Sequence, residues 1–135
     1  MIVKTKFIGV INVSDYRKLK VWEKAHECVL ETYRITEKYP KSELYALVSQ
    51  MRRAAVSIPS NIAEGYGNGY NKNVVRFLNI ALGSTFELEY QFFLSKDLGY
   101  LSEEKYNELA ELIIEIKKMI IGLIKSLNIR LNVNK

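Results

Sequence analysis

At 135 residues, 48% hydrophobic and 26% charged, the chain has room for one domain with a real core. Two prolines, seven glycines and no apolar run of about 18 residues exclude a largely disordered chain and a membrane span. One cysteine, Cys28, excludes an internal disulfide and fits a reducing, cytoplasmic compartment, and a net charge of +5 is only a mild basic bias.

The first fourteen residues form an arm. Lys4 and Lys6 sit among apolar runs too broken for a secretory signal, so the sequon Asn12-Val13-Ser14 carries no glycosylation reading. A first helix is predicted over 16–39, capped by Ser14 or Asp15, with Leu19, Trp22, Ala25, Val29, Tyr33 and Thr36 as its apolar stripe. A second covers 41–64, with Leu44, Leu47, Met51, Ala54, Ile58 and Ile62 on one face. Pro40 suits its first turn, and the interior Pro59 predicts a kink, because the apolar period continues beyond it.

Gly65, Gly67 and Gly69 predict a loop. A third helix over 73–98 carries Val74, Leu78, Ala81, Thr85, Leu88 and Phe92, and Gly99 is its stop signal. Ala81, Gly83 and Ser84 are small enough to admit a neighbouring helix closely. Ser102 caps a fourth helix over 102–127, striped by Tyr106, Leu109, Ile113, Ile116, Ile120, Leu123 and Leu127. The tail from Asn128 alternates apolar residues and reads as a short strand or a frayed end.

Four comparable helices with short connections predict an all-α fold, an antiparallel up-down-up-down four-helix bundle forming a single domain over 1–135. Apolar residues off the main stripes (Val21, Cys28 and Ile35 on the first helix, Ile114, Ile121 and Ile124 on the fourth) predict a second buried surface and self-association.

The residues give no catalytic, cofactor or metal site. Glu23 and His26 have the Glu-x-x-His spacing of di-iron bundles, but the second histidine that site requires is missing. Cys28 is two residues from His26, so the two side chains diverge around the helix. The Gly65–Gly69 segment lacks the strand and spacing of a phosphate-binding loop. The chain therefore reads as a non-enzyme without cofactor.

The expected topology segregates charge. The start of helix one, the loop between helices two and three, and the end of helix four share one pole. Residues 1–24 hold six bases against two acids, 62–76 two against one, and 117–135 five against none, a net +10 that leaves −5 elsewhere. This predicts a nucleic-acid surface, RNA before DNA, made by Arg17, Lys18, Lys20, Lys24, Lys72, Arg76, Lys125 and Arg130, with Tyr66 and Tyr70 stacking on unpaired bases. The alternative is a protein-interaction or scaffold module whose charge is solvation.

One stretch is distinctive: Gln50-Met51-Arg52-Arg53-Ala54-Ala55-Val56-Ser57-Ile58-Pro59-Ser60-Asn61-Ile62-Ala63-Glu64-Gly65. With Leu19-Lys20-Val21-Trp22-Glu23-Lys24-Ala25, Phe77-Leu78-Asn79-Ile80-Ala81-Leu82-Gly83-Ser84 and Glu87-Leu88-Glu89, it resembles the bundle proteins encoded in intervening sequences of bacterial 23S ribosomal RNA genes. That resemblance covers about residues 16–127. It implies a ribosomal-protein-like four-helix bundle, a homo-oligomer and often a pentamer, akin to accessory proteins that bind a reverse transcriptase and nucleic acid. Ser57, Ser60, Asn61 and Glu64 are read physically as groups that satisfy the backbone at Pro59 or bond across to Ser84 and Glu87. Arg52 and Arg53 are read as partners of acids such as Glu87 or Glu89, with RNA contact as the other reading.

Overall fold

The computed structural model describes residues 15–68 and 71–133, so the readings of the arm before Asp15 and of Tyr70 fall outside it. Four helices account for most of it: α1 (Lys20–Thr36), α2 (Ser49–Asn68), α3 (Asn71–Asp97) and α4 (Glu103–Val133). There is no strand among the described residues.

Local chemistry sets the ends. Asp15 accepts the Arg17 N–H at 2.9 Å and opens a 3-10 turn, Tyr16–Lys18, that leads into α1. Between α1 and α2 the chain makes a 3-10 turn, Lys41–Glu43, and a π-helical turn, Leu44–Val48, where a continuous helix is predicted from residue 41. The Glu43 side chain accepts from the Leu47 N–H and steadies that wide turn. Gly99 takes φ +83, and the N–H of Tyr100 reaches the Ser95 carbonyl at 2.8 Å while that of Gly99 reaches Lys96 at 3.0 Å. These two bonds satisfy the last carbonyls of α3. Ser102 Oγ accepts the Lys105 N–H at 3.0 Å and caps α4, as its position predicts.

Contacts between helices give their sense. Along α2 and α3, Gly65 meets Val74, Ser57 bonds Ser84 at 2.8 Å, and Met51 meets Ser95 at 3.5 Å. Along α3 and α4, Glu89 bonds Lys117 and the Phe93 ring lies against Tyr106. Lys24 faces Glu115 and Glu31 faces Lys105, while Arg52 reaches back to Thr36. In the α2–α3, α3–α4 and α1–α4 pairs one number rises as the other falls, so these neighbours are antiparallel, α4 returns to close on α1, and α1 in turn runs opposite to α2.

The core lies along the axis. The predicted α3 stripe is buried throughout, and Leu109, Ile113, Ile116, Ile120 and Leu127 bury that of α4. In α1 the buried row is instead Val21, Ala25, Cys28, Thr32 and Thr36. Ala25 and Thr36 of the predicted stripe belong to it, while Val21, Cys28 and Thr32 take the places expected for Trp22, Val29 and Tyr33, and Tyr33 is left exposed. Threonine is tolerated there because Thr32 and Thr36 donate to the carbonyls of Cys28 and Thr32, both at 2.7 Å, within the helix. Val21 and Cys28, expected to serve an outer surface, thus belong to this core, and burial pushes the Cys28 thiol up to about 12.

Three further expectations change. The helix runs through Gly65 and Gly67 to Asn68, so the predicted loop is mostly helix. The tail through Val133 continues α4 and is no strand. Gly83 has open space around its Cα and admits no close neighbour, while Gly65 is where α2 and α3 approach, 2.9 Å separating a Cβ placed there from the Phe77 Cβ. α2 passes through Pro59 without a stop, as the continuing apolar period predicts. There Asn61 Nδ2 donates to the Ser57 carbonyl at 2.8 Å and to Ser57 Oγ at 3.0 Å, and Ser57 bonds on to Ser84, as the reading of that polar group expects.

At the end remote from the basic pole, Tyr39 and Tyr100 rings lie 4.9 Å apart and the Tyr100 hydroxyl donates to Glu43 at 2.8 Å, tying the two connections together. Nearby, Lys105 donates to Glu31 at 2.6 Å and Arg34 pairs with the same carboxylate. The Lys105 ammonium chiefly, with Arg34, holds Glu31 below its ordinary 4.5, and the Glu31 carboxylate raises Lys105 in turn. A depressed carboxylate stabilises the fold above its unfolded value and loses that contribution as pH falls through the folded one. Glu31→Gln is therefore expected to cost about 0.5–1 kcal/mol near neutrality and progressively less as pH falls below 4.5, as partly exposed pairs do. Thermal melts of both proteins from neutral to acid pH check this, and a constant gap would contradict it.

Candidate interaction surfaces

The antiparallel order brings the start of α1, the end of α2, the start of α3 and the end of α4 to one end, as the charge pattern requires. The candidates there divide. Lys18, Lys20 and Lys125 are exposed and meet no acid among the described residues, and Lys118 joins them. Arg17 is exposed but bonds Asp15 through Nε at 3.0 Å. Lys24 is half-buried between Glu115 at 3.6 Å and Glu27 at 4.0 Å. The Arg76 guanidinium lies 4.4 Å from the Phe77 ring. The side chains of Lys72 and Arg130 lie outside the described ones.

Tyr66 does not belong to this surface. Helix α2 continues past Ile62, so residue 66 falls one turn on along the same inward face, only 3% exposed. Burial pushes its hydroxyl up to about 12, and the ring cannot stack on a base from that position.

Two apolar surfaces were not legible as such. The first is a groove of about 650 Å³ between α1 and α2, walled by Tyr33, Leu44, Tyr45, Val48, Val56 and the two arginines Arg52 and Arg53. Arg52 donates from Nε to Thr36 at 3.0 Å and lies 4.5 Å from the Tyr33 ring, so it pairs with no carboxylate of α3. Glu89, its suggested partner, is held by Lys117 at 2.9 Å. At Val56 the groove adjoins a hollow of about 260 Å³ bounded by Tyr16, Trp22, His26, Pro59 and Ala63. The His26 imidazole stacks on Trp22 there, centroids 5.0 Å apart. Among the described residues no three metal-binding side chains gather.

The second surface is a ridge between α3 and α4. Phe86 (49% exposed), Tyr90 (59%) and Phe93 (44%) recur at four- and three-residue spacing, beside Ile114 (40%) of α4. Lys117 lies 4.8 Å from the Phe86 ring, and Lys96 caps Phe93 and Tyr106 at 4.8 and 4.7 Å. With these cations in place Phe86 and Phe93 still rank among the exposed large apolar side chains. The sequence signal was present in this α3 spacing, but the stronger buried stripe of the same helix obscured it.

Number, length and sense of the helices define an antiparallel four-helix bundle, and what it offers to other molecules are faces and a charged end. The chain belongs to the 23S rRNA-intervening sequence protein family, whose model matches residues 17–122. It is similar, with 26% identity and a TM-score of 0.71, to a solved structure of a protein with unknown function from the S23 ribosomal protein family of Bacteroides thetaiotaomicron. That likeness covers 78% of this chain and 95% of the other. No curated protein matches. No described helix is long and apolar enough to cross a membrane.

Proposed function

We propose that this chain is a non-catalytic assembly protein that works through its exposed apolar helix faces. The row Phe86, Tyr90 and Phe93 carries the reading, because large aromatic side chains held at the surface on one rigid helix gain most by burial against another protein. Light scattering on the eluted protein tests it: the expected mass exceeds the 15.6 kDa of one chain. A monomer at all accessible concentrations would overturn self-assembly.

The basic end favours a second role, contact with structured RNA by the assembled protein. Lys18, Lys20, Lys118 and Lys125 are exposed there without acidic partners among the described residues. The relative's membership of a ribosomal protein family supports the same direction. Each lysine that neutralises a phosphate contributes about −0.7 to −0.9 to the slope of log affinity against log salt. Changing all four to glutamate is expected to abolish binding to ribosomal RNA fragments, or to flatten the slope by about three units. Titration across a salt series, with duplex DNA alongside, reads this out. Unchanged binding in the variant would remove the basic end from the function.

A further inference from the structure

We propose that the hollow at the basic end of the α1–α2 seam takes one unpaired base of an RNA strand, stacked among the rings of Tyr16, Trp22 and His26. This rests on the RNA reading above and adds where the strand places a base. The lysines account for phosphates only, and Tyr66 is buried in the core, so a base needs another platform. The hollow supplies one where the start of α1 meets the later turns of α2.

Its size, shape and lining agree. At about 260 Å³ it falls just below the roughly 300–1,000 Å³ of sites for drug-sized ligands, which suits a single ring system. The Trp22 and His26 rings lie 5.0 Å apart and 9° from parallel, and Tyr16 meets Trp22 edge-on at 5.3 Å. A further planar ring extends such a cluster, and every base has a π-face to offer it. Val29 and Pro59 continue the apolar wall. Ser60 and His26 are its polar members, both exposed, and a hydroxyl and an imidazole offer donors and acceptors to the edge of a base.

The charges around the hollow set the path of the strand. No acid lines it. Arg17, Lys18 and Lys20 are exposed between Tyr16 and Trp22 in the chain. Of the acids on these segments, Asp15 is held by Arg17 at 3.0 Å and Glu27 lies 4.0 Å from Lys24. Glu23 and Glu64 are exposed and repel a phosphate, so the backbone runs on the side of Lys18 and Lys20. Duplex RNA does not fit this site, because its bases are stacked on one another and its grooves present edges rather than faces. An unpaired base in a loop or bulge has a face to give.

Trp22 is the chain's one tryptophan, so its emission reports on this hollow. End-labelled single-stranded RNA of about ten nucleotides is titrated against the protein, with anisotropy reading binding and Trp22 emission reading stacking. Both signals are expected to change along one curve, and a duplex of the same sequence to leave the emission unchanged. His26→Ala is expected to weaken single-strand binding about 5-fold or more, the lower end for a base on an aromatic ring. Ser60→Phe, which fills the hollow from α2, is expected to abolish the emission change, and Tyr45→Ala in the adjoining groove to alter neither signal. Circular dichroism melts show which variants fold, and the wild-type emission test requires none of them. If single-stranded RNA binds while Trp22 emission stays constant, the hollow holds no base and the lysine end alone carries RNA. If the duplex changes the emission equally, an unpaired base is not what enters. If no RNA moves either signal, the RNA reading itself fails.

Discussion

Phe92→Ala is expected to destabilise the chain by about 3–5 kcal/mol, a large share of the 5–15 kcal/mol typical of a domain. Phe92 leads the fully buried side chains by size and is 1% exposed on the inner face of α3. Truncation removes the transfer free energy of the ring and leaves a cavity, because helices on both sides hold the backbone in place. Its neighbour Phe93 lies about 100° around the same helix at 44% exposure, and Phe93→Ala should cost less than about 1 kcal/mol. Urea unfolding separates the two: the midpoint falls steeply for Phe92→Ala with an unchanged slope and barely moves for Phe93→Ala. Equal losses would mean that the inner and outer faces of α3 are misassigned.

The second large effect is at a glycine. Alanine at an interior helix position normally gains about 1 kcal/mol over glycine. At Gly65 the added Cβ would sit 2.9 Å from the Phe77 Cβ and 3.4 Å from the Val74 Cα, and neither can swing away because both belong to the base of α3. Overpacking of this kind costs about 1–3 kcal/mol and outweighs the gain in helix propensity. Gly65→Ala is expected to lower the melting temperature, and Gly65→Leu to lower it further. Gly83→Ala, with nothing within 4 Å of the new Cβ, is expected to raise it through about 0.5–1 kcal/mol. Opposite signs from one chemical change would locate the close approach of α2 and α3, and a rise at both positions would refute it.

The four helices were legible because α3 and α4 carry long apolar series at four- and three-residue spacing that no other period fits. In α1 the stripe was right at Ala25 and Thr36 and one residue off at Trp22, Val29 and Tyr33. Trp22, Val29 and Tyr33 look more like core than Thr32 does, and only the internal hydroxyl bond to Cys28 shows how Thr32 is buried without cost. That phase error hid the groove, since the misassigned side chains are part of its wall. The basic end was legible as a sum of charges. Its partners were not, because Lys24 meets Glu115 only once α4 has folded back onto α1. Tyr66 was recoverable: Ile58, Ile62 and Tyr66 continue one series, and the glycines on either side of it drew the reading toward a loop.

The order of the helices bears on how quickly the chain finds its fold. Consecutive helices pack as neighbours, and the α1–α4 seam joins the two helices most remote in sequence. Each hairpin closes through a short connection, so little chain entropy is lost before its apolar faces meet. The seam then forms between two elements already fixed by their hairpins, with Lys24 and Lys105 of opposite helices finding Glu115 and Glu31 across a short gap. A topology of this kind, rich in local contacts, folds in microseconds to milliseconds, which shortens the time its aromatic ridge spends on an unfinished chain.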